Sequence, residues 1–242
     1  MKFNRILFKV SGEGLAGEKG FGYDDASLKE IAQKIKSIHE LNIELCLVVG
    51  GGNIFRGAQN TKMDRNNADY MGMLATVMNG IALGAYLSDI GVESEIQSAL
   101  TIDKLCDCYN RNKAVKALKN GKVLLFVAGT GNPFFTTDTA SVLRAVEMQC
   151  DAIFKGTQVD GVYDKDPKNF SNARRYKTVT FDEVIKNNLK IMDQTAFTLA
   201  KDNNLPIVVF KLAKMDSVRE IIDGSSNSYT LISNDVEVSY FD

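Results

Sequence analysis

The sequence contains very little histidine: His39 is the single one among 242 residues, and tryptophan is absent. A Cys/His metal site and a histidine-based catalytic triad are therefore poorly supported. Cysteine is also sparse, with four residues, and Cys106 and Cys108 lack the two-residue spacer of a usual zinc or redox pair. We therefore predict a reduced, cytoplasmic protein whose chemistry depends on charge and positioning.

Strong net charge, long apolar runs and linkers are also missing. The formal net charge is −1, so we expect neither nucleic acid nor a membrane as a partner. We expect no membrane span, because no apolar run approaches the required length, and no secretory signal, because the N-terminus enters a strand pattern almost at once. Only three prolines occur, and no segment is rich in proline or serine. A single domain over residues 1–242 is predicted.

The sequence does contain a repeated order of apolar strand and glycine-rich loop. Predicted strands at 6–10, 45–49 and 123–127 precede glycine-rich stretches at 11–17, 50–53 and 129–138. Open α/β sheets bind ligands where strands end and helices begin, and glycine lets backbone amides approach an anion. These loops therefore predict phosphate binding. The alternative for 50–53 is a flexible connection, and for 129–138 a plain strand-to-helix loop with Thr136 or Thr137 as the N-cap.

The first loop matches G-x-G-x-x-G at residues 12–17. A dinucleotide fingerprint must open a helix, whereas residues 18–22 continue as loop, so we interpret this stretch as a long glycine-rich loop. The first helix is predicted near Ser27, because Ser27-x-x-Glu30 has the spacing of a capping box. Lys9 interrupts the preceding apolar strand, which favours phosphate binding over a place on a sheet edge.

The remaining chain alternates between helices and strands. Residues 68–87 predict a helix that is apolar nearly all round, which indicates burial in the core or against another subunit. Further predicted elements are strands at 93–99, 151–155 and 206–210, helices at 110–120, 181–187, 194–202 and 217–222, and a strand at 229–232 that closes the sheet edge.

Six motifs occur in a fixed order along almost the whole chain, at residues 8–13, 50–57, 69–76, 129–138, 155–166 and 192–204. Together they resemble the bacterial uridylate kinases of the amino-acid kinase family, and 129–138 is the most specific of them. The resemblance implies an α/β fold, a three-layer α/β/α sandwich with a central mostly parallel sheet, and a homohexamer. It implies transfer of the γ-phosphoryl group of ATP, with Mg²⁺, to UMP, giving UDP and ADP in pyrimidine nucleotide biosynthesis.

The resemblance also assigns roles to individual residues. Those similar to ATP contacts are Lys9, Val10, Ser11, Gly12, Gly52, Arg56, Thr157, Tyr163 and Asp166. Those similar to UMP contacts are Gly51, Asp69, Thr130, Gly131, Asn132, Pro133, Phe134, Phe135, Thr136 and Thr137. The catalytic set is Lys9, Arg56, Asp138 and Asp193, and no direct metal ligand is assigned. Many members are inhibited by UTP and activated by GTP, and for this chain the GTP response is left open.

The chemistry of the residues agrees with these assignments. Phosphoryl transfer needs charge neutralisation and in-line placement more than covalent chemistry, and Lys9 and Arg56 can offset the charge. The phosphate of UMP is already an anionic nucleophile, so no general base is required. Asp69 can accept from ribose hydroxyls, or it can simply favour a helix N-terminus; Asp164 and Asp166 can be ordinary turn residues. Phe134 and Phe135 can wall the pocket or pack against a neighbouring subunit.

Two other functions compete with this one. The first is a kinase of the same family that acts on a carboxylate or carbamate, and residues 129–138 disfavour it because they match a nucleotide acceptor site. The second is a nucleotide-binding regulator without catalysis, which the presence of Lys9, Arg56, Asp138 and Asp193 disfavours. There is no G-x-x-x-x-G-K-[ST], so a P-loop kinase is excluded.

Overall fold

The computed structural model describes residues 3–56, 62–212, 217–226 and 228–241. Within them, ten strands form one sheet in the order β10-β7-β9-β8-β6-β1-β2-β5-β3-β4. Their bounds are β1 Arg5–Val10, β2 Glu44–Val49, β3 Ser94–Ser98, β4 Asp107–Cys108, β5 Val123–Val127, β6 Ala152–Thr157, β7 Tyr176–Val179, β8 Ile207–Lys211, β9 Tyr229–Ile232 and β10 Ser239–Tyr240. Neighbouring strands are parallel except where β9 meets β8 and β10 meets β7.

Helices cover both faces of this sheet. Their bounds are α1 Gly12–Ala16, α2 Asp25–His39, α3 Arg65–Asp89, α4 Arg111–Lys119, α5 Thr137–Glu147, α6 Phe181–Lys186, α7 Gln194–Asp202 and α8 Ser217–Asp223. One buried core joins the sheet to α4, α5, α6 and α7, and a second joins it to α1, α2, α3 and α8. Strands buried on both faces read as continuous apolar runs, which is the pattern of β2 and β5. The predicted three-layer α/β/α sandwich is confirmed.

The first two helices differ from the prediction. A short helix, α1, opens directly after β1 where the sequence predicted loop, and the Ser11 side chain caps it by accepting from the Gly14 N–H. The longer α2 is capped by Asp24 instead of Ser27, because the Asp24 carboxylate accepts from the Ser27 N–H at 2.9 Å. Ser27 is therefore inside the helix, and no capping box forms there.

The sheet extends further than predicted at both edges. Strand β4 adds two residues beyond β3. At the other edge, β7 and β10 lie outside β9, so residues 229–232 do not close the sheet. These strands are short, and their sequences show no clear alternation of apolar and polar residues. They form because they pair with an existing edge of the sheet.

Helix α3 is longer than predicted and only partly buried. Gly80 lets it approach β5 closely, because a Cβ at this position would collide with Val127. Met71, Leu74, Met78 and Ile81 are exposed along its other side. Of the described residues, this is the one helix with the length and apolar composition that could cross a membrane; half of its apolar window is buried, and a helix buried in a protein core can meet the same criteria.

Candidate active site

The loops that follow four central strands meet at one edge of the sheet. Strands β6, β1, β2 and β5 are consecutive neighbours and run parallel, so their carboxyl ends lie side by side. The three glycine-rich loops found in the sequence follow β1, β2 and β5. This edge is therefore where the predicted functional residues come together.

The loops after β1 and β2 pack directly on each other. The Gly50 N–H donates to the Val10 carbonyl at 2.9 Å. A Cβ on Gly12 would lie 2.6 Å from both the Gly50 carbonyl oxygen and the Asn53 side-chain oxygen. Glycine at position 12 is therefore required by the contact between the two loops.

A buried pair of amides holds the second glycine loop in place. Asn79 on α3 donates to the Gly50 carbonyl at 2.6 Å and to the Asn53 side-chain oxygen at 2.7 Å. Asn53 in turn donates to the Gly22 carbonyl at 2.9 Å. Both side chains are fully buried. The loop is thus fixed by hydrogen bonds rather than being a flexible connection.

The loop after β5 forms one wall of a cavity of about 250 Å³. Thr136 is the N-cap of α5, and its hydroxyl accepts from the Asp138 N–H. Across the cavity, the Asp69 carboxylate accepts from the Phe134 N–H at 2.7 Å and from the Arg65 guanidinium. Asp69 therefore ties the loop to α3. The cavity lining is Gly51, Gly52, Phe55, Ala68, Asp69, Gly72, Met73, Thr76, Gly129, Thr130, Asn132, Phe135, Thr136 and Thr137.

A second cavity, of about 270 Å³, lies over the ends of β1 and β6. Lys9, Ser11, Lys155 and Thr157 are among its lining residues. A neighbouring cavity of about 560 Å³ shares Val159, Gly161, Lys190 and Ile191 with it. Its lining includes Tyr163, Asp164, Asp166 and Pro167. Because they share these residues, we describe the two cavities together as a trough, with Lys9 and Lys155 at one end and Tyr163 at the other.

A buried charge cluster adjoins both cavities: Lys9 and Lys155 line the trough, and Asp138 directly follows Thr137 of the 250 Å³ cavity. Asp138 forms an ion pair of 2.7 Å with Lys9 and accepts from Lys155 at 2.9 and 3.0 Å. Burial alone would raise the pKa of the Asp138 carboxyl, but the two lysines hold it below its ordinary value. The pKa of Lys155 falls to about 8, because burial and the charge of Lys9 outweigh the attraction of Asp138.

Asp193 and Arg56 connect neighbouring parts of the site. The Asp193 carboxylate accepts from the Thr139 hydroxyl at 2.9 Å, from the Thr136 hydroxyl and from the Ala196 N–H, so it caps α7 and fixes the start of α5. The Arg56 guanidinium donates to the Gly52 carbonyl at 3.0 Å and pairs with Glu13. Gly52 lines the 250 Å³ cavity and Glu13 lines the trough. Arg56 therefore links the wall of one cavity to the wall of the other.

This arrangement can be compared with known proteins. The model of the amino acid kinase family matches residues 4–211. The chain belongs to the amino acid kinase family. Its curated relatives include a uridylate kinase from Roseobacter denitrificans, 50% identical over 95% of this chain and 96% of that protein. A uridylate kinase from Zymomonas mobilis is 48% identical, with 98% of each chain covered.

Solved structures support the same grouping. The UMP kinase from Bacillus anthracis superposes with a TM-score of 0.95 at 38% identity, and all of both chains is covered. The UMP kinase from Ureaplasma parvum superposes with a TM-score of 0.90 at 39% identity, and the match covers 97% of this chain and 100% of that one. The resemblance and the amino-acid kinase fold predicted from the sequence motifs are confirmed.

Most residues that the family resemblance assigns lie at the two cavities. The acceptor positions that line the 250 Å³ cavity are Gly51, Asp69, Thr130, Asn132, Phe135, Thr136 and Thr137. Gly131, Pro133 and Phe134 belong to the same loop without lining it. Of the donor positions, Lys9, Ser11, Thr157, Tyr163 and Asp166 line the trough. The individual roles stay predictions.

Some assigned positions lie elsewhere or have other partners. Gly52, expected at ATP, lines the cavity that holds the acceptor positions. Val10 and Gly12 take part in the contact between loops instead of lining the trough. Asp166 accepts from the Lys168 N–H at 2.9 Å and from Asn169, so it stabilises a turn. Asp164 accepts from the Arg174 N–H, ten residues further along the chain, so it joins two segments.

Two residues that make contacts within the site have no assignment from the sequence. Lys155 reaches the charge cluster from β6, where it interrupts an apolar strand just as Lys9 does, so the same signal was available for it. Asn79 lies in the middle of an apolar helix, and its amide is buried against the glycine loop. A polar residue at a buried helical position is the signal that identifies it.

Proposed function

We propose that this chain is a UMP kinase that transfers the γ-phosphoryl group of ATP to UMP and releases UDP and ADP. The uridylate kinase relatives, at about half identical residues over nearly the whole chain, support the acceptor. The product places the reaction in pyrimidine nucleotide biosynthesis. The described residues form one sheet, and the chain would act as one unit around it.

The observation that carries the proposal is that one charge cluster adjoins both cavities. Asp138 directly follows Thr137, which lines the 250 Å³ cavity, and it contacts Lys9 and Lys155, which line the trough. UMP in the first cavity and ATP in the second would therefore meet at Lys9. Two phosphates in contact need positive charge and fixed geometry, which these residues supply.

Each substrate has matching groups in its cavity. In the smaller cavity, Asp69 offers acceptors for ribose hydroxyls, while Thr130, Asn132 and Thr137 offer hydroxyl and amide groups. In the trough, the Tyr163 ring is available beside the nucleoside, with its hydroxyl held by Asp160 at 2.7 Å. Lys9 and Arg56 offset charge on the transferred group, and Asp193 keeps Thr136 in place for the acceptor phosphate.

Mg²⁺ would arrive with ATP. No three His, Cys, Asp or Glu side chains group together as a metal site within the residues that the structure describes. Asp138 is engaged by two lysines, and Asp193 by two hydroxyls and an N–H. The available chemistry therefore fits Mg²⁺ bound mainly by phosphate oxygens and water, as is common for this ion.

A coupled assay that measures ADP tests the proposal. The purified chain is incubated with MgATP and, in turn, UMP, CMP, AMP, GMP, a carboxylate and carbamate. We expect turnover with UMP far above that with every other acceptor. Turnover with a carboxylate or carbamate instead would identify the competing kinase, and tight UMP binding without turnover would identify a regulator.

We also propose a cytoplasmic homohexamer. The four cysteines are free thiols, which agrees with a reducing compartment. The exposed apolar side of α3 carries no charged side chain from Met71 to Ser88, which suits contact with a second copy. Inhibition by UTP stays a prediction and the response to GTP stays open; the same assay measures both when each triphosphate is added.

A further inference from the structure

Two lysines stand opposite each other on neighbouring strands at the centre of the site. Lys9 on β1 and Lys155 on β6 are register partners in the parallel pair. Side chains at paired positions of adjacent strands point to the same face of the sheet. Both ammonium groups reach the carboxylate of Asp138, at 2.7 Å from Lys9 and at 2.9 Å from Lys155. The first lysine has a proposed role, and the second has none.

The hydrogen bonds of the two lysines differ. Lys155 is buried, with 8% of its surface exposed, and donates to both Asp138 oxygens and to the Ile191 carbonyl. An ammonium has three donors, so Lys155 has none left for a phosphate. Among the described residues only Asp138 pairs with Lys9, which leaves Lys9 with donors that can face the trough.

The third bond of Lys155 reaches a separate part of the chain. Ile191 lies between α6 and α7, and with Lys190 it lines both halves of the trough. Two residues further on, Asp193 fixes Thr136 at the acceptor side. Lys155 therefore connects the strand ends, the start of α5 and the wall of the trough.

We propose that Lys155 is a positioning residue for the phosphoryl transfer: it fixes Asp138 and the Ile191 carbonyl, and Asp138 in turn aims Lys9 at the donor phosphates. This inference rests on the proposed function. Without Lys155, the buried carboxylate would keep Lys9 as its one partner and would draw it toward itself and away from the phosphates. A misplacement of about 1 Å can cost on the order of a hundredfold in rate.

The arrangement predicts a particular pH dependence. The charged groups that act on Lys155 are Lys9 from β1, Asp138 from α5 and Asp193 at the start of α7. Burial and Lys9 lower its pKa to about 8. Below that pH Lys155 is charged and holds Asp138, and above it the ammonium is lost. We therefore expect kcat/KM for ATP, which reports the free enzyme, to fall as the pH rises through about 8.

The test compares Lys155→Met, Lys155→Arg and, as a matched control, Lys116→Met at an exposed position of α4. Turnover, KM for UMP and the pH profile are measured, with calorimetric titration of ATP into each variant and thermal unfolding as a folding check. We expect Lys155→Met to lower kcat on the order of a hundredfold while KM for UMP stays within about threefold. Lys155→Arg should recover part of the loss and lack the fall near pH 8, because arginine stays charged. The control should match the wild type.

Several results would overturn the inference. One is a kcat of Lys155→Met equal to that of the wild type. Another is an equal loss of kcat in Lys155→Met and Lys155→Arg together with a lowered unfolding temperature, because that result would indicate a role in packing alone. A wild type that binds no ATP would overturn it as well. If the wild type binds ATP without phosphorylating UMP, the proposed function fails. The inference about Lys155 is then decided by the affinity for ATP. This affinity should weaken above pH 8 in the wild type and stay unchanged in Lys155→Arg.

Discussion

A single carboxylate shared by two lysines determines the electrostatics of the site at the scale of residues. Asp138 is buried, and an isolated carboxylate in that position would take up a proton. Lys9 and Lys155 keep it ionised, and the three groups together carry a net positive charge beside the trough. An anionic ligand would compensate that excess charge, which is a physical reason for this cluster to bind phosphate.

Removing Lys9 should affect chemistry much more than UMP binding. We expect Lys9→Ala to lower turnover about a hundred- to a thousandfold, the usual cost of losing a charge-stabilising donor. UMP affinity should change little, because Lys9 lines the trough and not the cavity with Asp69. Turnover and calorimetric titration with UMP measure the two effects. Turnover equal to that of the wild type would remove Lys9 from its proposed role.

Contacts among loops and one helix shape the site at the scale of elements. The loop after β2 is held by Asn79 of α3, and the loop after β5 is held by Asp69 of the same helix. Gly51 packs so closely on this helix that a Cβ would lie 2.8 Å from the Gly72 carbonyl oxygen. Glycine in this loop therefore serves the packing against α3 as well as any approach to a ligand. Helix α3 therefore holds both loops in position.

Loss of the Asn79 amide should loosen the glycine loop. We expect Asn79→Ala to lower the free energy of unfolding by about 1–3 kcal/mol, because the buried Asn53 and Gly50 oxygens lose their donor. KM for UMP should rise as well, since Gly51 and Gly52 line the acceptor cavity. Urea unfolding and steady-state kinetics check both effects. Asn112→Ala, at an exposed position of α4, is the control, and an equally small effect in the two variants would contradict the role of Asn79.

At the scale of the whole molecule, one side of α3 forms an exposed apolar strip. Leu74 is 48% exposed and Met78 is 51% exposed, on a helix whose opposite side packs on β3 and β5. An apolar strip of this kind is typical of a subunit interface. The sequence predicted that α3 is buried either in the core or against another subunit. In the structure one side of α3 packs in the core, and the other side is available to a second copy.

A charge placed in that strip should break the proposed assembly. We expect Met78→Glu to shift the protein from the proposed hexamer to smaller species, since a carboxylate loses solvation when a second apolar strip covers it. Size-exclusion chromatography with light scattering measures the change. Val238→Glu introduces the same charge at another exposed apolar position near β10 and should leave the assembly intact. An unchanged mass for Met78→Glu would exclude this surface as the contact.

The sequence predicted the central elements better than the peripheral ones. Strands β1, β2 and β5 are apolar on both faces and are recognisable without context, whereas β4 and β10 contain two residues each and exist through their pairing. The helix at Gly12–Ala16 was missed because glycines dominate it, while the Ser11 cap and packing of Leu15 in the core stabilise it.

The sequence by itself determined which apolar strands end in glycine-rich loops, with Lys9 and the acids nearby, and its order of motifs identified the family. Only the tertiary structure decided which charges meet. Lys155 became part of the site because β6 pairs with β1 in a register that sets it opposite Lys9. Such a pairing joins segments far apart in the chain, and no local pattern encodes it, because strand order depends on how all the helices and strands bury their apolar faces together.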